Sequence, residues 1–286
     1  MVDVLSVILR ALSFVLLFQA AGVAIFLAVF GRRLADSWNA VRLLGQGAAL
    51  AAVTLVAGHY ALEAARMAGE LSGVWDPSLQ GMMWHSSGGA ASILRLVGLG
   101  LIAVGLQPTQ GRGSKLATLG AVLACLAFTL TGHTAVAAHR EMLAPLLMIH
   151  LLVVAFWFGA LAPLYLASSR ETSVRACEIV EAFTGVATWL VPVILVAGVA
   201  MAVVLLPDLS ALREPYGELL IAKVVGFAAL MGLAAANKWR LAPALAAGTA
   251  ESGRRFRRAV AAEYVLIVGV LAVTAVMTTF FSPEAG

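Results

Sequence analysis

The chain has 286 residues, of which 62% are hydrophobic and only 12% charged, with a mean hydropathy of +0.96. A soluble domain carries about 25% charged and about 45–50% apolar residues, so this composition excludes a water-soluble globular fold. The net charge of +4 and pI near 9.4 do not point to nucleic acid, because no folded basic domain accompanies them.

Apolar runs long enough to cross a hydrocarbon core about 30 Å thick recur along the chain. Lipid offers a strand's free backbone groups no partner, so the runs must be helices. The expected fold is all-α: a polytopic membrane bundle with about eight transmembrane helices. In chain order the first span, 4–30, exceeds the apolar core of a signal peptide, about 7–15 residues. Its basic pair, Arg32-Arg33, follows rather than precedes it, so it is read as a span that stays. Arg10 lies about two turns into it. The second span, 41–67, ends with His59, Glu63 and Arg66, and with Glu70 these fall at i, i+4, i+7 and i+11. That spacing is one helical face, and a charged face must turn into the bundle.

The next link holds Met82-Met83-Trp84-His85, and span three, 88–107, carries Arg95 about two turns in. Span four, 116–136, closes on His133. His139 follows, and Met142 opens span five, 142–167, where His150 and Trp157 share a face. Span six, 178–206, has Glu181; span seven, 216–237, has Lys223 about two turns in; span eight, 257–281, has Glu263. Gly159, Gly185, Gly198 and Gly226 are placed to let helices approach closely. The links are too short for a soluble domain, so residues 1–286 form a single transmembrane domain. Cys125 and Cys177 lack any CxxC spacing and are expected as buried apolar residues, not as a disulfide.

Charge sets the orientation. The links after odd-numbered spans and their flanks carry thirteen basic residues, from Arg32 and Arg33 to Arg257 and Arg258, against three, Arg66, Arg140 and Arg213, on the other side. The richer side belongs in the cytoplasm, which places both termini in the periplasm.

Ionisable residues inside a span are costly and mark candidate sites. Most of them here lie in the outward half. Thioether and imidazole ligands suit Cu(I), which makes Met82, Met83, His85, His139 and Met142 a candidate collection point at the surface. His59, His133 and His150 are then candidate ligands below it, with Glu63 tuning charge. Each lone residue also has a plainer reading as an interhelical hydrogen bond or a snorkelling chain. The Met-Met-Trp-His run reads equally as an interfacial segment. Arg10, Arg95 and Lys223 at similar depth repel a free cation and suit an anionic group, so a b-type haem held by two histidines is an alternative. No GxxxxGK[ST] nucleotide loop occurs, so transport would be passive or gradient-driven.

The stretches GHTAVAAH at 132–139, HLLVVAFWFGALAPL at 150–164, YGELLIAKVVGF at 216–227 and AANKWRLAPAL at 235–245 resemble the CopD (PcoD) family of bacterial copper resistance proteins. Arg10 in the first span and Glu263 in the last also fit. The resemblance covers nearly the whole chain and is strongest over 130–265. It implies an eight-helix inner-membrane protein of copper homeostasis that moves copper inward, often beside a periplasmic copper-binding protein, CopC. It points to His133 and His150 as motif histidines, and to Lys223 and Glu263 as later polar positions. The chain carries no fused CopC-like domain, and it lacks long Met-rich or His-rich loops, which makes high-capacity copper storage an unexpected role.

Overall fold

A computed structural model describes residues 2–281 apart from 112–113, 133–134, 136, 138, 207–209 and 247. Among these, every regular element is helical. The main helices are α1 (Val2–Phe30), α2 (Trp38–Ala68), α3 (Pro77–Trp84), α4 (Ser87–Gly105), α5 (Lys115–Leu126), α6 (Arg140–Arg170), α7 (Ser173–Leu205), α8 (Pro215–Ala236) and α9 (Ala250–Phe280). Seven helical segments are long and apolar enough to cross a membrane. The eighth expected span is shorter: α5 runs into a 3-10 turn, Ala127–Leu130.

Helices begin where the sequence supplies caps. Ser86, Ser114, Thr172 and Thr249 each accept a backbone N–H from the first turn of α4, α5, α7 and α9. Asp76 caps α3, with Pro77 at its first position. This short α3 lies where the sequence suggested only a link. α9 starts at Ala250, so Arg254, Arg255, Arg257 and Arg258 ride on a helix rather than in a loop. α8 continues through a π-helical turn, Asn237–Leu241, and one further α-turn, Ala242–Leu245.

α1 is the most buried span and packs against α2, α4, α5, α6 and α9. α7 packs on α6, and α8 chiefly on α9. Small residues set the closest approaches. A Cβ on Gly22 of α1 would lie 1.9 Å from the Ala155 carbonyl oxygen of α6, and one on Gly159 would lie 2.4 Å from Gly22 Cα. Gly98 and Gly120 bring α4 and α5 together in the same way. Of the glycines expected at contacts, Gly159 and Gly226 make them, Gly198 faces His150, and Gly185 faces open space. The last corrects the expectation: a small residue on an outer helix need not face a neighbour, and α7 is little buried.

α5 ends early for a visible reason. The 3-10 turn sets Phe128 against Phe14 and Phe18 of α1, with ring centroids 5.3 and 5.4 Å apart. The Arg95 guanidinium lies over the same ring at 4.4 Å. Two ends of the bundle follow from the alternating helix directions. One carries α3, the starts of α1 and α6 and the end of α9; the other carries most of the basic residues. At the basic end, Glu171 between α6 and α7 ties down the link before α2. Its Oε1 accepts from the backbone of Ala35, Asp36 and Ser37 at 2.9–3.1 Å and from the Ser37 hydroxyl.

Candidate functional site

Among the described residues, three polar clusters within the apolar bundle hold residues singled out from the sequence. The first joins α1, α2 and α9 near the end that carries the termini. Arg10 is one helical turn from Ser6 on α1, and His59 one turn from Glu63 on α2. Arg10 Nε donates to His59 Nε2 at 3.1 Å, and its Nη1 donates to the Thr278 carbonyl oxygen of α9 at 2.7 Å. Glu63 accepts from Ser6 at 3.3 Å, from Arg10 Nη2 at 3.4 Å and from Arg66 Nη1 at 3.1 Å. Arg66 also pairs with Asp3 at 3.2 Å. His59 Nε2 lies 3.3 Å from Glu63 as well. The nitrogen fills one role at a time: as a lone pair it accepts from Arg10, and with a proton it donates to Glu63. The His59 side chain is 14% exposed.

The helical face read from the sequence is present as far as Arg66. Glu70 leaves it, because α2 stops at Ala68 with Gly69 left-handed (φ 79°), and Glu70 turns to accept from the Ser72 hydroxyl. Asp3, Ser6 and Thr278 were not among the expected members. Ser6 was legible, since it shares the Arg10 face of α1, whereas the Thr278 carbonyl is backbone and leaves no trace in residue type.

The second cluster joins α6 and α7. The His150 ring packs on Gly198, whose added Cβ would lie 3.7 Å from His150 Cε1. His150 Nδ1 is buried with no hydrogen-bond partner. Gly198 faces the imidazole, and a Cβ there would make only ordinary van der Waals contact with it.

The third cluster lies deeper, where α6, α8 and α9 meet. Glu263 is 3% exposed. It accepts from the Asn237 amide, which sits on the π-helical turn, and the Trp157 indole lies nearby. Asn237 Oδ1 is buried and unpaired.

At the surface, Met82, Trp84 and His85 of α3 and its cap are exposed and Met83 half-buried. His139 and Met142, at the start of α6, are exposed too. The structure thus gathers Arg10, His59 and Glu63, sets His150 against Gly198 and leaves Arg95 over Phe128. His133 lies outside the described residues. Among the described residues no three His, Cys, Asp or Glu side chains form a group able to hold a metal ion. Cys125 and Cys177 are both buried free thiols.

Fold and clusters together define a polytopic helical membrane protein with polar sites built between its spans. Residues 1–140 match the family model described as copper resistance protein D-like, N-terminal domain, and residues 177–277 match that of copper resistance protein D. The chain belongs to the copper resistance protein D family. No curated protein and no solved structure compared with it gives a match.

Proposed function

We propose that the protein binds copper at its outward face and carries it across the bacterial inner membrane. The observation that carries this reading is the soft-donor surface at one end of the bundle. Met82, His85, His139 and Met142 are exposed there, and thioether with imidazole is the donor set that Cu(I) prefers. The basic end is taken as cytoplasmic by its Arg and Lys content, which puts this surface and both termini in the periplasm. A periplasmic copper-binding protein of the CopC type would deliver to it. Residues 1–286 act as one transmembrane unit, with α1 packed on helices from both matched regions.

Beneath the surface, His59, His133 and His150 would receive the ion, with Glu63 supplying negative charge. His59 can do so only when its Nε2 lone pair is free, and in the structure the Arg10 N–H occupies it. Copper and Arg10 therefore compete for one nitrogen. Glu63 accepts from the Arg10 guanidinium as well as from Arg66, so Arg10 keeps a partner if it lets His59 go. His150 Nδ1 has no such competitor. The described histidines do not fit a haem. His59 Nε2 is engaged by Arg10 and His150 sits in a different cluster with different partners, so no haem-dependent step is derived.

The test is metal binding by purified protein. Wild type should hold copper, and replacing Met82, Met83, His85, His139 and Met142 together should slow its loading. If wild type holds no copper above a protein-free control, the reading is wrong.

A further inference from the structure

Glu263 is buried within the bundle at 3% exposure, yet among the described residues no Lys or Arg forms an ion pair with it. The hydrogen bond to its carboxyl comes from the Asn237 amide, a neutral donor, and the neutral Trp157 indole lies nearby. Several charged and polar groups on the neighbouring elements are engaged elsewhere. Lys238, the residue after Asn237, sends its Nζ to the Thr188 hydroxyl of α7 at 3.0 Å. Arg257, earlier on α9, donates to the Ser168 carbonyl oxygen. Gln19 of α1 donates to the Gly159 carbonyl oxygen of α6, and Tyr264 stacks on Phe158. Arg254 and Arg255 pair with Glu251.

A carboxylate buried in a bilayer without a cation carries a heavy desolvation cost. A proton removes that cost at once. The surroundings suit both forms. The carboxylate accepts from Asn237 Nδ2. The carboxylic acid has one O–H to donate, and Asn237 Oδ1 is buried beside it with no partner. Rotating the amide by half a turn exchanges its donor for its acceptor. The π-helical turn that carries Asn237 is a local departure from α-helix of the kind that recurs at functional sites.

We infer that Glu263, with Asn237 and Trp157, is a proton-binding site inside the membrane. What the proton is exchanged against rests on the copper-transport reading. A copper ion passing this half of the bundle supplies one positive charge, and the carboxyl releases one proton as it arrives. When the ion leaves, the carboxyl takes a proton back. The exchange conserves charge at the site and needs no redox partner.

Two measurements test this. The first is infrared difference spectroscopy of purified protein, which does not depend on copper. A C=O band of a protonated carboxyl should be present in wild type, absent in Glu263→Gln and restored in Glu263→Asp. Trp157→Phe should move the band to higher frequency by removing a donor, which a purely structural Glu263 would not show. A band unchanged by Glu263→Gln overturns the inference. The second is copper uptake into proteoliposomes as a function of pH. Wild-type uptake should slow as pH falls, because protons hold the acid form, and Glu263→Gln should flatten this dependence. Equal pH dependence in both overturns the exchange. Should wild type move no copper while the band is lost in Glu263→Gln, the transport reading fails and the proton site is supported.

Discussion

At the scale of single residues, the least expected result is that His59 is not a free imidazole. Its spacing from Glu63 was legible as one helical face, and the structure places the two side chains 3.3 Å apart. Its engagement by Arg10 was not legible, because that pairing depends on the rotation of α1 against α2, which no local pattern encodes. If His59 takes copper, the Arg10 N–H is a competitor. A hydrogen bond involving a charged group is worth about 1.5–3 kcal/mol, and about 1.4 kcal/mol is tenfold in affinity. Arg10→Gln should therefore bind Cu(I) more tightly, by on the order of tenfold, in competition with a chromogenic chelator. Unchanged or weaker binding in a folded Arg10→Gln protein removes His59 from the ligand set. Glu63→Gln has the opposite character. It leaves Arg10 and Arg66 with a neutral acceptor, and the melting temperature in detergent should fall.

At the scale of helices, the caps and breakers in the sequence located the ends of most spans, and the eight apolar runs correspond to eight helical segments. Two departures have local causes. α5 gives way to a 3-10 turn because Phe128 is drawn between the Phe14 and Phe18 rings and the Arg95 guanidinium. α9 begins a turn or two early because Thr249 caps it, and charged residues are good helix formers. Which glycines pack was only half legible, since Gly22 and Gly185 look alike in composition. Gly22→Ala drives a methyl into the α6 backbone and should destabilise by about 1–3 kcal/mol, read as a lower melting temperature. Gly185→Ala meets open space and should leave it unchanged.

The link at the basic end makes a pH-dependent contribution. Burial alone would raise the Glu171 carboxyl, but the Ser37 hydroxyl and the N–H groups of Ser37, Asp36 and Ala35 outweigh it and hold the group below its ordinary value of 4.5. The stability it contributes is full above 4.5 and is lost as pH falls through the lowered value. Glu171→Gln should melt lower than wild type at neutral pH, with the gap closing in acid. A constant gap across that range contradicts the assignment.

At the scale of the whole molecule, composition alone excluded a soluble fold, and the motifs over 130–265 carried the family resemblance that the family models bear out. The division of polar residues among three separate clusters was not legible, because it follows from which spans neighbour α1. The architecture sets Arg10, His59 and Glu63 in one group, His150 against Gly198 in another, and Glu263 with Asn237 deeper.

The most direct test of copper movement is uptake by sealed proteoliposomes holding wild type, a His59/His133/His150 triple alanine variant, or no protein. The account predicts uptake well above the protein-free rate for wild type and close to that rate for the variant. Equal uptake by wild type and empty vesicles, or by wild type and the variant, would contradict it.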